Sequence, residues 1–320
     1  MTVSENIRFD GQVALVTGAG RGMGFGHASV LAARGATVIV NDFQQHLADD
    51  AVKSITSSGG KAEAIIADIS VPKECRSIIG QIIDKHGRID ILVNNAGIAS
   101  FKAFEDITEA EFFQMMGVHL FGSWFLTQAA WPHMIKQKYG RVVMVSSGSL
   151  FGMVNNSHYT TAKTAVFGLG LNLAQEGKSH GINVNILDVI AGTEMTKEGM
   201  SDSPLKTFIL EHYPIDGPAN VMAWLCHKDC TETARFVPAG GKGFGLHFFA
   251  SNPGWWTQDE RWMTPELVRD NFSNVCDFSN YRVVSDAQVC SELVAGRAGF
   301  PSMGALSEAS EVSAPCDSWK

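Results

Sequence analysis

Six short apolar runs mark the first 190 residues: VALV (13–16), TVIV (37–40), EAIIA (63–67), IDILV (89–93), RVVMV (141–145) and INVNIL (182–187). A longer stretch with helical patterning follows each one. Runs that are apolar at consecutive positions bury both faces of a strand. The pattern therefore predicts a parallel sheet covered by helices on both sides, a doubly wound α/β fold. TEAE (108–111) sets a threonine and a glutamate three residues apart, a capping box that opens a long helix. After about residue 241 the alternation stops. HFFASNPGWWTQDERWMTPELVRDNF has no strand–helix rhythm and is rich in aromatics, with Trp255, Trp256 and Trp262 read as packing or interface residues. The chain is thus expected to hold a Rossmann-like domain over 1–241, an extension over 242–300 and a flexible small-polar tail over 301–320.

Composition narrows the classes. The chain has 320 residues, 45% hydrophobic and 18% charged, enough to bury a sizeable core. A formal net charge of −8 argues against a nucleic-acid partner, which would need a basic face. No run approaches a membrane span, and mean hydropathy near +0.03 is that of an ordinary soluble protein. MTVSENIRFDGQ is not a signal peptide, and CDSWK carries no peroxisomal tripeptide, so a cytoplasmic protein without membrane contact is expected. The six cysteines then read as reduced thiols. CHKDC (226–230) lacks a nearby second pair of ligands, and no metal is expected.

Chemistry enters with ALVTGAGRGMGFG. Gly18, Gly22 and Gly24 follow the first strand and open a helix, where glycines allow a tight turn and close backbone approach to a pyrophosphate. The helix N-terminus, with Arg21 and Met23 in the same loop, would receive that anion. Asp42 ends the second strand, 24 residues beyond Gly18, where a carboxylate bonds both ribose hydroxyls of NAD and repels the 2′-phosphate of NADP. Arg21 pulls toward NADP, but the carboxylate should dominate, so NAD is the expected cofactor. Asp68 and Ile69 follow the third strand beside the adenine position. NNAG (94–97) brings Asn95, Ala96 and Gly97 close to the cofactor after the fourth.

SSGSLFGMVNNSHYTTAK (146–163) supplies the candidate catalytic group. Tyr159 and Lys163 lie one helical turn apart on one face. Bringing a phenol from near 10 to near 7 takes about 4 kcal/mol of phenolate stabilisation, much of which an ammonium can provide. A serine hydroxyl, from Ser146 or Ser147, would hold the substrate oxygen.

TGAGRGMG, NNAG, the serine before SHYTTAK and the runs between them resemble the short-chain dehydrogenase/reductase family over about residues 7–241. The resemblance implies seven parallel strands, NAD(P)-dependent alcohol–ketone interconversion, and Tyr159 and Lys163 in the catalytic and ribose-binding roles. It also puts Thr196 beside the nicotinamide. VHLFGSW, AAWPHM, WLCHKDC and MTPELVRDNFSNVCDFSN are similar to the dehydrogenase unit of peroxisomal multifunctional enzymes of type 2. That likeness implies a (3R)-hydroxyacyl-CoA or 17β-hydroxysteroid substrate and a homodimer or homotetramer. The extension would then pack on the core or the dimer partner.

Four departures from the family pattern stand out. His119 replaces an asparagine, to relay a proton through water or simply to pack. Val189 and Ile190 replace Pro-Gly, and the chain after Asp42 is short for the type 2 enzymes. Counting 13 residues back from Tyr159 gives Ser146, whereas ungapped alignment of GRVVMVSS gives Ser147. A buried strand resists a register slip and a loop absorbs a deletion, so Ser147 is favoured. A catalytically silent NAD-binding sensor or scaffold is the competing class.

Overall fold

The computed structural model describes residues 6–296 except 201, 253, 257–263, 277–278 and 280. The 301–320 tail, Trp262 and Cys316 lie outside the described residues. The chain divides after Leu246 into two compact units, five residues beyond the expected boundary.

In the first unit the strands are β1 (Val13–Thr17), β2 (Thr37–Asp42), β3 (Lys61–Ile66), β4 (Ile91–Asn94), β5 (Gly140–Ser146), β6 (Ile182–Ile190), β7 (Phe236–Gly240) and β8 (Gly243–Phe244). They form one sheet in the order β3-β2-β1-β4-β5-β6-β7-β8. Seven are parallel, and β8 adds a short antiparallel edge beyond the seven expected. Helices α1 (Gly22–Ala33), α2 (Gln45–Ser57), α3 (Pro72–His86), α4 (Glu109–Met116), α5 (Gly122–Gln137), α6 (Ser157–Gly177), α7 (Glu194–Gly199), α8 (Pro204–His212) and α9 (Asp216–Cys226) complete the unit.

Two buried clusters sandwich the sheet. One gathers Ala14, Val16, Val38 and Val40 with Ala28 and Leu31 of α1 and Met222 of α9. The other gathers Leu15, Leu92, Met144 and Ile186 with Ile78 of α3, Leu126 of α5 and Val166 of α6. Both faces of β1, β4 and β5 are dry, as continuous apolar runs require. EAIIA behaves differently, because β3 is the sheet's edge and stays half-exposed along its length. Cys226 and Cys230 of CHKDC are buried, and burial pushes both thiols up.

The capping box forms as read: the Thr108 hydroxyl accepts from the Glu111 N–H, and the Glu111 carboxylate accepts from the Thr108 N–H. The long helix it opens is interrupted, however. Gly117–Phe121 is a π-helical turn between α4 and α5, a feature that collects at functional sites.

In the second unit, β9 (Phe249–Ser251) pairs antiparallel with β10 (Arg282–Val284). Thr264 caps α10 (Pro265–Asn271) through the Leu267 N–H, and α11 (Ala287–Gly296) follows β10. Trp256 is half-exposed there.

Candidate active site

The strand order reverses between β1 and β4, which opens a crevice at the C-terminal ends of the parallel strands. The glycine loop lines one side. Gly18 adopts φ +59°, and a Cβ on it would sit 2.9 Å from the Ala96 Cα. One on Gly24 would sit 2.1 Å from the Gly18 carbonyl oxygen. These two glycines are required by contact. Gly22, at φ +56° with open space around it, is required by conformation. Arg21 is exposed and precedes the first turn of α1, whose N–H groups face the crevice end of the helix.

Asn95 and Thr17 fasten the two sides of the loop. The Thr17 hydroxyl accepts from the Asn95 and Ala96 N–H groups, each at 3.0 Å, and the Asn95 amide donates to the Thr17 carbonyl at 2.8 Å. Asn95 therefore shapes the glycine loop through its side-chain amide and its backbone N–H. Gly97 is fixed by His119, since a Cβ there would lie 2.5 Å from the imidazole Cε1.

Asp42 is 6% exposed at the end of β2. One carboxylate oxygen accepts from Gly20 N–H at 3.1 Å and the other from Gln44 N–H at 3.0 Å. Each oxygen keeps a lone pair, which suits two adjacent hydroxyls. At the end of β3, Asp68 is exposed and accepts from the Ser70 N–H. The Ile69 side chain turns into the core instead, where a Cβ on Gly122 would touch it at 2.6 Å. On the far side, Thr196 lies in the first turn of α7, capped by Thr193, and donates to the Ala191 carbonyl at 2.6 Å. Met23 is half-buried behind the loop. The glycine cradle, the aspartate pair of lone pairs and the helix end together fit a dinucleotide.

Across the crevice, α6 carries Tyr159 and Lys163. The Lys163 Nζ is 5.7 Å from the centre of the Tyr159 ring and donates to the Val145 carbonyl at 2.7 Å. The two candidate serines part company here. Ser146 is buried, and its hydroxyl donates to the Lys163 carbonyl at 2.9 Å, tying β5 to α6. Ser147 is close enough to the Tyr159 phenol to favour its ionised form, and its hydroxyl accepts from the Ser149 N–H. Tyr159 thus lies against Ser147, and Ser146 has turned away to the helix.

Burial dominates the electrostatics. It pushes the Tyr159 phenol up to about 12; the Ser147 hydroxyl pulls it back in part, and the nearby Asp188 carboxylate adds to the rise. The same burial drops Lys163 to about 8, with Asp188 pulling it upward. His119 is 1% exposed and stands edge-on to Tyr159, ring centres 5.3 Å apart. Its Nε2 lies 2.8 Å from the Ile98 carbonyl oxygen. Burial, then the Lys163 charge, lower it to about 3, so it is neutral at physiological pH. Phe151, Met153 and Met195 are exposed apolar side chains on the segments that follow β5 and β6.

Asp188 and Thr17 were not singled out from the sequence. For Asp188 the signal existed: a carboxylate near the end of the buried run INVNILDVI, next to the missing Pro-Gly.

The short chain dehydrogenase family pattern matches residues 12–203. The chain is 37% identical over 285 residues to mouse peroxisomal multifunctional enzyme type 2, spanning 86% of this chain and 38% of that protein. The full-length structure of the Drosophila melanogaster enzyme of that name superposes with a TM-score of 0.77 at 30% identity, over 92% of this chain and 50% of that one. A 7α-hydroxysteroid dehydrogenase solved with NADH and a 7-oxo bile acid gives 0.70 at 29% identity, over 76% of this chain and 98% of that one. The chain therefore spans less than half of the mouse enzyme, and relatives named peroxisomal lend no support to the cytoplasmic placement expected above. By sequence pattern, sheet order and the layout of its crevice, this chain belongs to the short-chain dehydrogenase family of oxidoreductases.

Proposed function

We propose that the chain is an NAD-dependent dehydrogenase that interconverts a secondary alcohol and a ketone, with (3R)-hydroxyacyl-CoA as substrate. The observation that carries the reaction is the Ser147–Tyr159–Lys163 group, a half-buried serine and tyrosine over a buried lysine, across the crevice from the glycine cradle. A nicotinamide dinucleotide, when bound, exchanges hydride with the carbinol carbon and brings a positive ring in its oxidised form. In the oxidation, Tyr159 as phenolate takes the hydroxyl proton while the C–H pair leaves as hydride. In the reduction, Tyr159 gives that proton to the forming alkoxide. Ser147 holds the substrate oxygen, and Lys163 stabilises the phenolate and binds ribose hydroxyls. With its phenol pushed up to about 12 by burial, Tyr159 starts as the acid and becomes a base only beside positive charge.

NAD is favoured over NADP by Asp42, whose two oxygens stand ready for adjacent hydroxyls and would repel a phosphate. The acyl-CoA substrate is favoured by the likeness to multifunctional enzyme type 2 over 86% of this chain. A bulky apolar alcohol such as a 17β-hydroxysteroid is the second reading, supported by exposed Phe151, Met153 and Met195. A homodimer is the assembly proposed with either. A screen with NAD and NADP against 3-hydroxyacyl-CoA, 17β-estradiol and small aromatic alcohols tests both levels. NAD-dependent turnover of the acyl-CoA is expected. Turnover of the steroid alone would favour the second reading, and NAD binding without turnover of any alcohol would favour a silent sensor.

A further inference from the structure

Strand β6 carries a charge where its neighbours are apolar. Val184 and Ile186 cluster with Val166 and Phe167 of α6, and a Cβ on Gly170 of that helix would stand 2.8 Å from Ile186. Strand side chains repeat every second residue, so Asp188 faces the same helix, and it is only 4% exposed. Its register partner on β5 is Ser146, whose hydroxyl reaches the Lys163 carbonyl. Lys163, equally buried, spends a hydrogen bond on Val145, the residue before. Gly148 closes the space from the loop side, because a Cβ there would lie 3.0 Å from Asp188 Oδ2. A carboxylate and an ammonium are shut together beneath the turn that leads from β5 to α6.

An ammonium removed from water loses its proton unless an opposite charge or several acceptors hold it. The Val145 carbonyl is one acceptor without charge. We infer that Asp188 is the buried counter-charge of Lys163, a positioning residue that keeps the ammonium charged beside Tyr159. Burial pulls Lys163 down to about 8, and the carboxylate opposes that fall. Asp188 also disfavours the phenolate directly, so its benefit reaches Tyr159 through the lysine. The other groups around it do not replace it. His119 is neutral and faces Lys163 from the π-helical turn. Ser146 on β5 and Pro238 on β7, its register neighbours, carry no charge.

The inference rests on Tyr159 and Lys163 forming the acid–base pair, and Asp188→Asn in the full chain tests it. Asparagine keeps the shape and removes the charge. The alkaline limb of kcat/KM, where Lys163 loses its proton, is expected to move down by about one pH unit or more, while NADH binding followed by fluorescence is retained. A limb at the parental pH, with activity lowered evenly across the range, overturns the inference, since a merely structural carboxylate would act that way. Should the single variant not fold, the double variant Asp188→Asn, Lys163→Met decides. Recovery of folding shows that the two charges answer each other, and a double variant that stays unfolded refutes the pairing. Failure of the underlying acid–base reading shows separately, as turnover surviving Tyr159→Phe.

Discussion

On the glycine-loop side of the crevice the polar groups answer one another. Thr17 holds Asn95 and Ala96, Asn95 holds the Thr17 carbonyl, and Asp42 holds Gly20. On the α6 side, burial displaces the groups from their ordinary protonation: Tyr159 to about 12, Lys163 to about 8 and His119 to about 3. One side is a finished mould made mostly of backbone. The other is a set of side chains whose proton affinities respond to any charge brought near them. The contrast explains why substitutions on the first side should act through binding, and those on the second through turnover and its pH dependence.

Separating the serines sharpens the comparison most. Ser147→Ala removes the hydroxyl beside the Tyr159 phenol and should lower kcat by about 10² to 10³ with cofactor affinity retained. Ser146→Ala loses only the bond to the Lys163 carbonyl, and should cost about 1 kcal/mol of stability with modest change in kcat. Steady-state kinetics and thermal melting of both variants check this, and the reverse ranking would exchange the two roles. Next comes the mould. Gly24→Ala puts a methyl 2.1 Å from the Gly18 oxygen, so NAD affinity by calorimetry should fall at least about tenfold, because the loop backbone must move. Unchanged affinity would mean that the glycine loop is not the binding cradle.

The smallest effect concerns His27, buried in α1 and lowered to about 3 by burial alone. In the unfolded chain it titrates near 6.5, so between those values the unfolded state binds more protons. Stability must then fall as pH drops from about 6.5 toward 3, by up to about 1.4 kcal/mol per pH unit for this group. His27→Leu should flatten the decline in unfolding free energy over that window, and an unaltered slope would show that His27 is not buried and neutral.

Much of this was legible in the chain, and the exceptions have physical causes. Continuous apolar runs located β1, β2 and β4 to β6, because a strand dry on both faces must be written that way. FVPAG, which forms β7, is not among the six runs, because a proline and a glycine break up its apolar sequence. The break after α4 left no mark in GVHLFG, since a π-helical turn uses ordinary helix residues. The strand register of GRVVMVSS pointed away from Ser146, and that hydroxyl is in fact committed to α6. Asp188 could be seen as an odd charge in an apolar run, but its neighbours come from β5 and α6. Only the sheet order brings them together.

The most direct test of the account is Tyr159→Phe, measured for turnover and for NAD binding on the same preparation. The account predicts loss of kcat by about 10³ or more, toward the upper end of what a positioned acid–base group contributes. NAD affinity should stay near that of the parent, since the glycine-loop side is untouched. Turnover close to that of the parent enzyme would contradict the acid–base role of Tyr159.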